Sequence, residues 1–184
     1  MNLLVLSGPS GIGKTHLIGI LSAYGFASVV MTTTRKPRVG EKQGVDYEFL
    51  SHEDYMRGIS ETNDFFMDNH FLGNHYGIRR SAFQSVWNRC LIPVLVIYMT
   101  VIDQVVNEFP FAKKVFLYPS SLDIIKERLS LRDGNMNRLA DVQNELRMID
   151  LSHYRRYYDV IIQVEGDNVS PVIAAILGLF KQPS

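Results

Sequence analysis

The 184-residue chain reads as an α/β protein, a mostly parallel sheet flanked by helices with a small inserted lobe. Three observations predict this. Apolar runs of strand length alternate with segments of helical periodicity, the pattern left when crossover helices bury both faces of each strand. A complete phosphate-loop pattern, Gly8-Pro9-Ser10-Gly11-Ile12-Gly13-Lys14-Thr15, joins the first expected strand to the first expected helix. Between residues 34 and 80 the alternation gives way to charged turns, many aromatics and short alternating stretches.

Taken in order, Leu3 to Ser7 is expected to be the first strand and Gly13 to Tyr24 the helix that follows it. A second strand is expected over Ala27 to Thr33, and three more, rich in Val and Ile, over Ile92 to Tyr98, Lys113 to Leu117 and Val160 to Val164. Inside the insert, Tyr47-Glu48-Phe49 and Asp64-Phe65-Phe66-Met67 read as short strands and Ser51 to Gly58 as a helix. The remaining helices fall at Ser81 to Arg89, Val101 to Phe109, Ser121 to Arg132, Leu139 to Tyr157 and Ser170 to Phe180. Ser121 is placed to cap its helix, with Pro119 just ahead of it. The polar stretch Asp133-Gly134-Asn135-Met136-Asn137 is expected to be a mobile loop between two helices.

Composition narrows the function. A chain of this length buries about 70% of its unfolded surface, and 46% hydrophobic with 21% charged residues argues against disorder, collagen and coiled coil. Lys and Arg number 19 against 19 Asp and Glu, so bulk charge draws the protein neither to nucleic acid nor to an anionic membrane, and any anion chemistry must be local. The single Cys90 excludes an intrachain disulfide and a multi-cysteine metal site, which suits a reducing, cytoplasmic compartment. The opening MNLLVLSGPSG lacks a basic n-region and is expected to be a buried strand. No apolar run reaches the roughly 18 to 20 residues of a membrane span. His16, His52, His70, His75 and His153 lack paired metal-ligand spacing and read as surface or structural residues. Phe65, Phe66, Phe71 and Trp87 read as packing, not as a nucleic-acid stacking platform.

The phosphate loop is the sharpest local signal. Glycines let successive N–H groups of Gly8, Ser10, Gly11, Ile12 and Gly13 turn inward around phosphate oxygens, and the positive end of the next helix faces the same anion. Lys14 is expected to span the β- and γ-phosphates of a bound nucleotide, and Thr15 to hold Mg²⁺. A second cluster, Thr34-Arg35-Lys36-Pro37-Arg38 with Glu41, Tyr47 and Tyr76 downstream, admits two readings: a solvated charged turn, or planar guanidinium forks and tyrosine hydroxyls directed at one phosphate.

The stretches SGPSGIGKT, TTRKPRVGEKQGVDYEF and GNHYG, in this order, closely resemble guanylate kinase. The resemblance continues through FPFAKKVFLYPSS and KERLSLRDG to LSHYRRYYDVII, and so covers nearly the whole chain. It implies a P-loop NTPase core (residues 1–33 and 81–184), a nucleoside-monophosphate-binding lobe at about 34–80 and a short lid at about 132–138. It further implies transfer of a phosphoryl group from ATP to GMP or dGMP, with Lys14 and Thr15 on the ATP phosphates and Mg²⁺. Arg35, Arg38, Glu41, Tyr47 and Tyr76 would serve the acceptor monophosphate, and Arg132 and Arg138 would act as lid arginines on the transferring group. Implied partners are small-molecule nucleotides alone, with a monomeric or weakly dimeric protein.

The chain departs from the family where the base is read. The serine usual before TTR is Met31, the glutamate of the second lobe strand is Met67, and the Ser or Thr after the Tyr-Gly pair is Ile78. Buried guanine N–H donors left unpaired cost about 1–3 kcal/mol each, so a more apolar pocket is expected, with GMP a poor acceptor and another nucleotide a better one. Asp68 would substitute only if a bulge shifted the register. Two family aspartates are replaced by Val96 and Tyr98, an Asn-Asp pair by Gln163-Val164, and the lid segment is shorter than usual. Two other classes fit parts of this pattern: a phosphopeptide-binding module using the Arg-Tyr site, and an ATP-binding regulatory pseudokinase. The intact phosphate loop and the retained arginines favour catalysis over both.

Overall fold

The computed structural model describes residues 2–71, 73–133, 142–144, 146–147, 154–166 and 168–181. In chain order the elements are β1 (Leu4–Ser7), α1 (Lys14–Leu21), β2 (Phe26–Ser28), β3 (Met31–Thr33), β4 (Tyr47–Phe49), α2 (His52–Glu61), β5 (Phe65–Phe71), β6 (Asn74–Arg79) and α3 (Arg80–Trp87). They continue with β7 (Ile92–Val96), α4 (Ile102–Glu108), β8 (Lys113–Pro119), α5 (Leu122–Asp133), β9 (Val160–Val164) and α6 (Ser170–Phe180). Among the described residues no helix is long and apolar enough to cross a membrane. The chain packs as two compact units, Met1–Ala27 with Val94–Ser184, and Ser28–Pro93.

The first unit is built on a five-stranded sheet of order β2-β7-β1-β8-β9. β1 pairs in parallel with β7 and β8, and β8 in parallel with β9. Leu4, Val5, Leu6, Val94, Leu95, Val115 and Phe116 are fully buried, as a parallel strand covered on both faces requires. After β7 the chain crosses from one side of β1 to the other before forming β8. That crossing makes the carboxyl end of β1 a topological switch point, the place where open α/β sheets bind ligands. Ser121 caps α5 as expected, its hydroxyl accepting from the Asp123 N–H at 3.1 Å.

Some expectations need correction. The strand expected over Ala27 to Thr33 is two strands in two sheets, β2 and β3, separated by Val29 and Val30. The run Ala27 to Thr33 holds no glycine or proline to mark the break, and its valines suit a sheet and a buried crossing equally. The second compact unit accordingly begins at Ser28 and ends at Pro93, wider than the insert at 34–80 read from composition. The strand expected to reach Tyr98 stops at Val96, and Tyr98 is exposed. Of the helix expected from Leu139 to Tyr157, residues 142–144 and 146–147 are helical and Arg155–Tyr157 forms a 3-10 turn. The loop expected at 133–137 lies outside the described residues beyond Asp133.

The second unit carries a four-stranded sheet of order β4-β3-β6-β5. β3 and β4 are parallel, while β6 runs antiparallel to both β3 and β5. Side chains alternate between its faces, and the register assigns each one. Asp68 is paired with Gly77 and lies on the face covered by α2, where its carboxylate accepts from the Tyr55 hydroxyl at 2.8 Å and sits 3.0 Å from His75 Nδ1. Met67, Asn69, Tyr76 and Ile78 occupy the other face. Ser51 caps α2 by accepting from the Asp54 N–H at 3.0 Å, and Glu53 and Asp54 favour the positive end of the helix. A Cβ on Gly77 would collide with the Tyr55 hydroxyl and lie 2.5 Å from the Phe65 ring. Gly77→Ala is therefore expected to destabilise this unit by about 1–3 kcal/mol, read as a lowered thermal midpoint with loss of the Tyr55–Asp68 hydrogen bond.

Candidate active site

In the first unit the loop after β1 is shaped by backbone that only glycine adopts easily. Gly8, Gly11 and Gly13 have φ of 144°, 82° and 101°, and a Cβ on Gly8 would lie 2.6 Å from the Leu117 carbonyl oxygen. The loop is thus pressed against β8 before it turns into α1 at Gly13, the N-cap residue. Lys14 folds over it, its ammonium donating to the carbonyls of Gly8 at 2.5 Å and Pro9 at 3.0 Å. Ile12 is buried, Ser10 half-buried, and Thr15 stands exposed in the first turn of α1. The expected ATP-phosphate residues are therefore contiguous at the switch point.

Sequence reasoning missed the strap on this loop. Arg128 of α5 donates through Nη1 to the carbonyls of Ile12 at 3.1 Å and Gly11 at 3.4 Å, and through Nη2 to that of Gly166 at 2.8 Å. With Ile12, Gly13, His16 and Val169 it lines a concavity of about 420 Å³ beside the loop. Its place one helical turn before Arg132 was the available signal. Arg132 itself lies on α5 with its side chain outside the described part, and Arg138 lies outside the described residues.

For Mg²⁺ the donor set here is one hydroxyl, that of Thr15. The carboxyl end of β7 offers Val96 and, beyond it, Tyr98 instead of carboxylates, and among the described residues no cluster of three or more His, Cys, Asp or Glu is placed to hold a metal. Such a set fits an ion that arrives on nucleotide phosphates and keeps several waters.

The second unit assembles the Arg-Tyr cluster. Arg35 forms a two-pronged ion pair with Glu41, Nη1 to Oε2 at 2.9 Å and Nη2 to Oε1 at 3.0 Å, and Glu41 Oε2 also accepts from the Arg38 backbone N–H at 2.7 Å. The guanidinium lies over the rings of Tyr47 at 5.3 Å and Phe49 at 5.5 Å. Tyr76 meets Tyr47 edge-on with ring centres 6.2 Å apart, and its nearby hydroxyl adds to the attraction that favours the Arg35 charge. The exposed Arg38 side chain makes no hydrogen bond among the described residues. Burial opposes the charge on both members of the ion pair, but their mutual hydrogen bonds and attraction outweigh it, raising the Arg35 pKa and lowering that of Glu41.

The base-reading positions share the face of this clamp. Met31 is the partner of Tyr47, and Met67 of Ile78, with Met67 and Ile78 buried. The register shift in β5 falls between Phe65 and Met67, ahead of Asp68, so the bulge does not bring that carboxylate to the clamp face.

The family model described as guanylate kinase matches residues 1–178. This chain belongs to the guanylate kinase family. Similar proteins include the guanylate kinases of Idiomarina loihiensis, 32% identical with 91% of this chain and 81% of that protein aligned, and of Alkalilimnicola ehrlichii, 31% identical with 95% and 86% aligned. Among solved structures, guanylate kinase from Anaplasma phagocytophilum superposes with a TM-score of 0.69 at 24% identity, covering 96% of this chain and 82% of that one. Shikimate kinase from Acinetobacter baumannii shares the fold more distantly, with a TM-score of 0.51 at 18% identity over 97% and 91% of the two chains. As a member of this family the chain is a phosphotransferase.

Because the Glu41 pKa is lowered from its ordinary 4.5, the ion pair stabilises the second unit above that value and is lost as pH falls through the lower, folded-state pKa. Thermal midpoints measured from pH 7 to pH 3 are expected to drop below about pH 4.5, and Glu41→Gln to flatten that part of the profile. Arg128→Ala is expected to raise KM for ATP about tenfold by releasing the loop carbonyls it ties, with KM for the acceptor unchanged in initial-rate kinetics.

Proposed function

We propose that the chain transfers the γ-phosphoryl group of ATP to GMP, giving ADP and GDP. The observation that carries this is that one chain holds both the glycine-shaped loop under Lys14 and the Arg35–Glu41–Tyr47–Tyr76 constellation, two arrangements suited to anions. Phosphoryl transfer needs two highly charged groups held in line and neutralised, with no covalent intermediate on the protein.

In this reading the N–H groups of Gly8, Ser10, Gly11, Ile12 and Gly13 hold the ATP phosphates, and the Lys14 ammonium bridges the β- and γ-phosphates. Thr15 would hold Mg²⁺ on the nucleotide phosphates, and the ion would supply charge neutralisation there. Arg35 is fixed by Glu41 and the aromatic rings beneath it, so its remaining polar edge is oriented in advance. Arg38, exposed and unengaged by hydrogen bonds, closes on the acceptor phosphate, with Tyr47 and Tyr76 adding hydroxyl donors. An oxygen of that phosphate attacks the γ-phosphorus, and the bond to the β,γ-bridging oxygen breaks as ADP leaves. Arg132 and Arg138 neutralise the equatorial oxygens of the transferring group.

The named relatives favour GMP over another acceptor, and a kinase over a phosphopeptide module or a pseudokinase. The protein acts on free nucleotides in the cytoplasm as a monomer or weak homodimer. ADP formation with ATP, Mg²⁺ and each common nucleoside monophosphate tests the reading. GMP is expected to give the highest kcat/KM, Lys14→Ala to lower kcat by about 10²-fold or more, and Arg38→Ala to raise KM for GMP about 10- to 100-fold. An equal or higher kcat/KM for a pyrimidine monophosphate would overturn the choice of GMP, and absence of ADP formation with every acceptor would overturn the kinase.

A further inference from the structure

One polar amide on the clamp face is left without a role. Asn69 is the register partner of Tyr76 across β5 and β6, Tyr76 is the partner of Thr33 across β6 and β3, and Thr33 is the partner of Phe49 across β3 and β4. The four form one row across the sheet, with the Arg35 guanidinium over the Phe49 ring at its far end. The neighbouring row holds Met67 opposite Ile78 and Met31 opposite Tyr47, and Met and Ile side chains offer no strong hydrogen bond to a base.

Nearby carboxylates of this unit are committed elsewhere. Asp68 is bonded to Tyr55 and His75 on the opposite face, Glu48 accepts from Thr32 at 3.0 Å and pairs with Arg79 at 3.4 Å, and Glu41 is taken by Arg35. Asn69 is half-buried, and its amide makes no hydrogen bond among the described residues. Three inter-strand spacings, about 14 Å, separate β4 from β5, the scale of a purine nucleoside monophosphate. A nucleotide with its phosphate at Arg35, Tyr47 and Tyr76 therefore lays its base over β6 toward Asn69.

We propose that Asn69 is the specificity-determining residue for the acceptor base, its amide N–H donating to O6 of guanine and its amide oxygen accepting from N1–H; this rests on the GMP reading above. A primary amide places one donor and one acceptor side by side, matching that edge. It has no second acceptor for the 2-amino group, so the base is read as a 6-oxopurine. IMP, which differs from GMP only in lacking that amino group, makes the same two bonds.

Equilibrium binding of GMP, IMP and ribose 5-phosphate to the wild-type protein, Asn69→Ala and Asn69→Asp, with parallel initial-rate kinetics, tests the assignment. GMP and IMP are expected to bind alike and more tightly than ribose 5-phosphate. Asn69→Ala is expected to weaken both purines about tenfold without changing ribose 5-phosphate, raising KM for GMP while kcat stays nearly constant. Asn69→Asp is expected to separate GMP from IMP in favour of GMP, since a carboxylate accepts from both N1–H and the 2-amino group. A folded Asn69→Ala protein with an unchanged ratio of GMP to ribose 5-phosphate affinity overturns the proposal. Wild-type protein that prefers purines through Asn69 yet forms no ADP would sink the kinase reading and leave this assignment standing. Wild-type protein that prefers neither purine over ribose 5-phosphate sinks the assignment whatever its turnover.

Discussion

Strand β1 is enclosed by β7 and β8 in parallel register, and its whole length is buried. The first unit depends on that enclosure. Because the chain leaves the sheet against the Leu117 carbonyl, Gly8 has no room for a side chain, and the loop turns directly into α1 at Gly13. At Gly11 the constraint is the backbone itself, with φ of 82°, since a Cβ there would make only ordinary contact with Leu129 of α5 at 3.4 Å. The shape of this loop is a consequence of close packing as much as of the motif.

Charge in the second unit is organised by pairing, not by excess. The chain carries equal numbers of acidic and basic residues, and the Arg35–Glu41 pair uses one of each to hold a guanidinium over two aromatic rings. Glu41 orders the turn twice, through the Arg35 side chain and through the Arg38 N–H. With this turn built, the Arg38 side chain stays exposed, outside the local hydrogen-bond network that its backbone N–H joins.

The sheet of this unit separates its chemistry by face. Carboxylates Asp68 and Glu48 stabilise the α2 side through Tyr55, His75, Thr32 and Arg79. Burial and the adjacent Asp68 carboxylate hold the Tyr55 hydroxyl well above the ordinary tyrosine range, so it remains a donor. The other side keeps arginine, tyrosines, methionines and the Asn69 and Asn74 amides. Apolar substitutions at Met31, Met67 and Ile78 are thus a change to one surface, compatible with an undisturbed Arg35–Glu41 ion pair beside it.

The sequence by itself determined what is local: the eight-residue phosphate loop, the strand and helix beside it, the capping of α2 and α5, and the close sequence grouping of Arg35, Arg38 and Glu41. These depend on backbone conformations and contacts within a few residues, which residue type and spacing encode. Tertiary structure decided what depends on distant pairing. Nothing near Ala27 to Thr33 reveals that the run divides between two sheets, because its valines satisfy either environment. Arg128 reaches a loop 117 residues away, and composition carries no record of that approach. Above all, the faces taken by Asp68 and Asn69 follow from a register set by the hairpin and by β3 some forty residues earlier; with a side-chain period of two, one residue of slip exchanges the carboxylate for the amide.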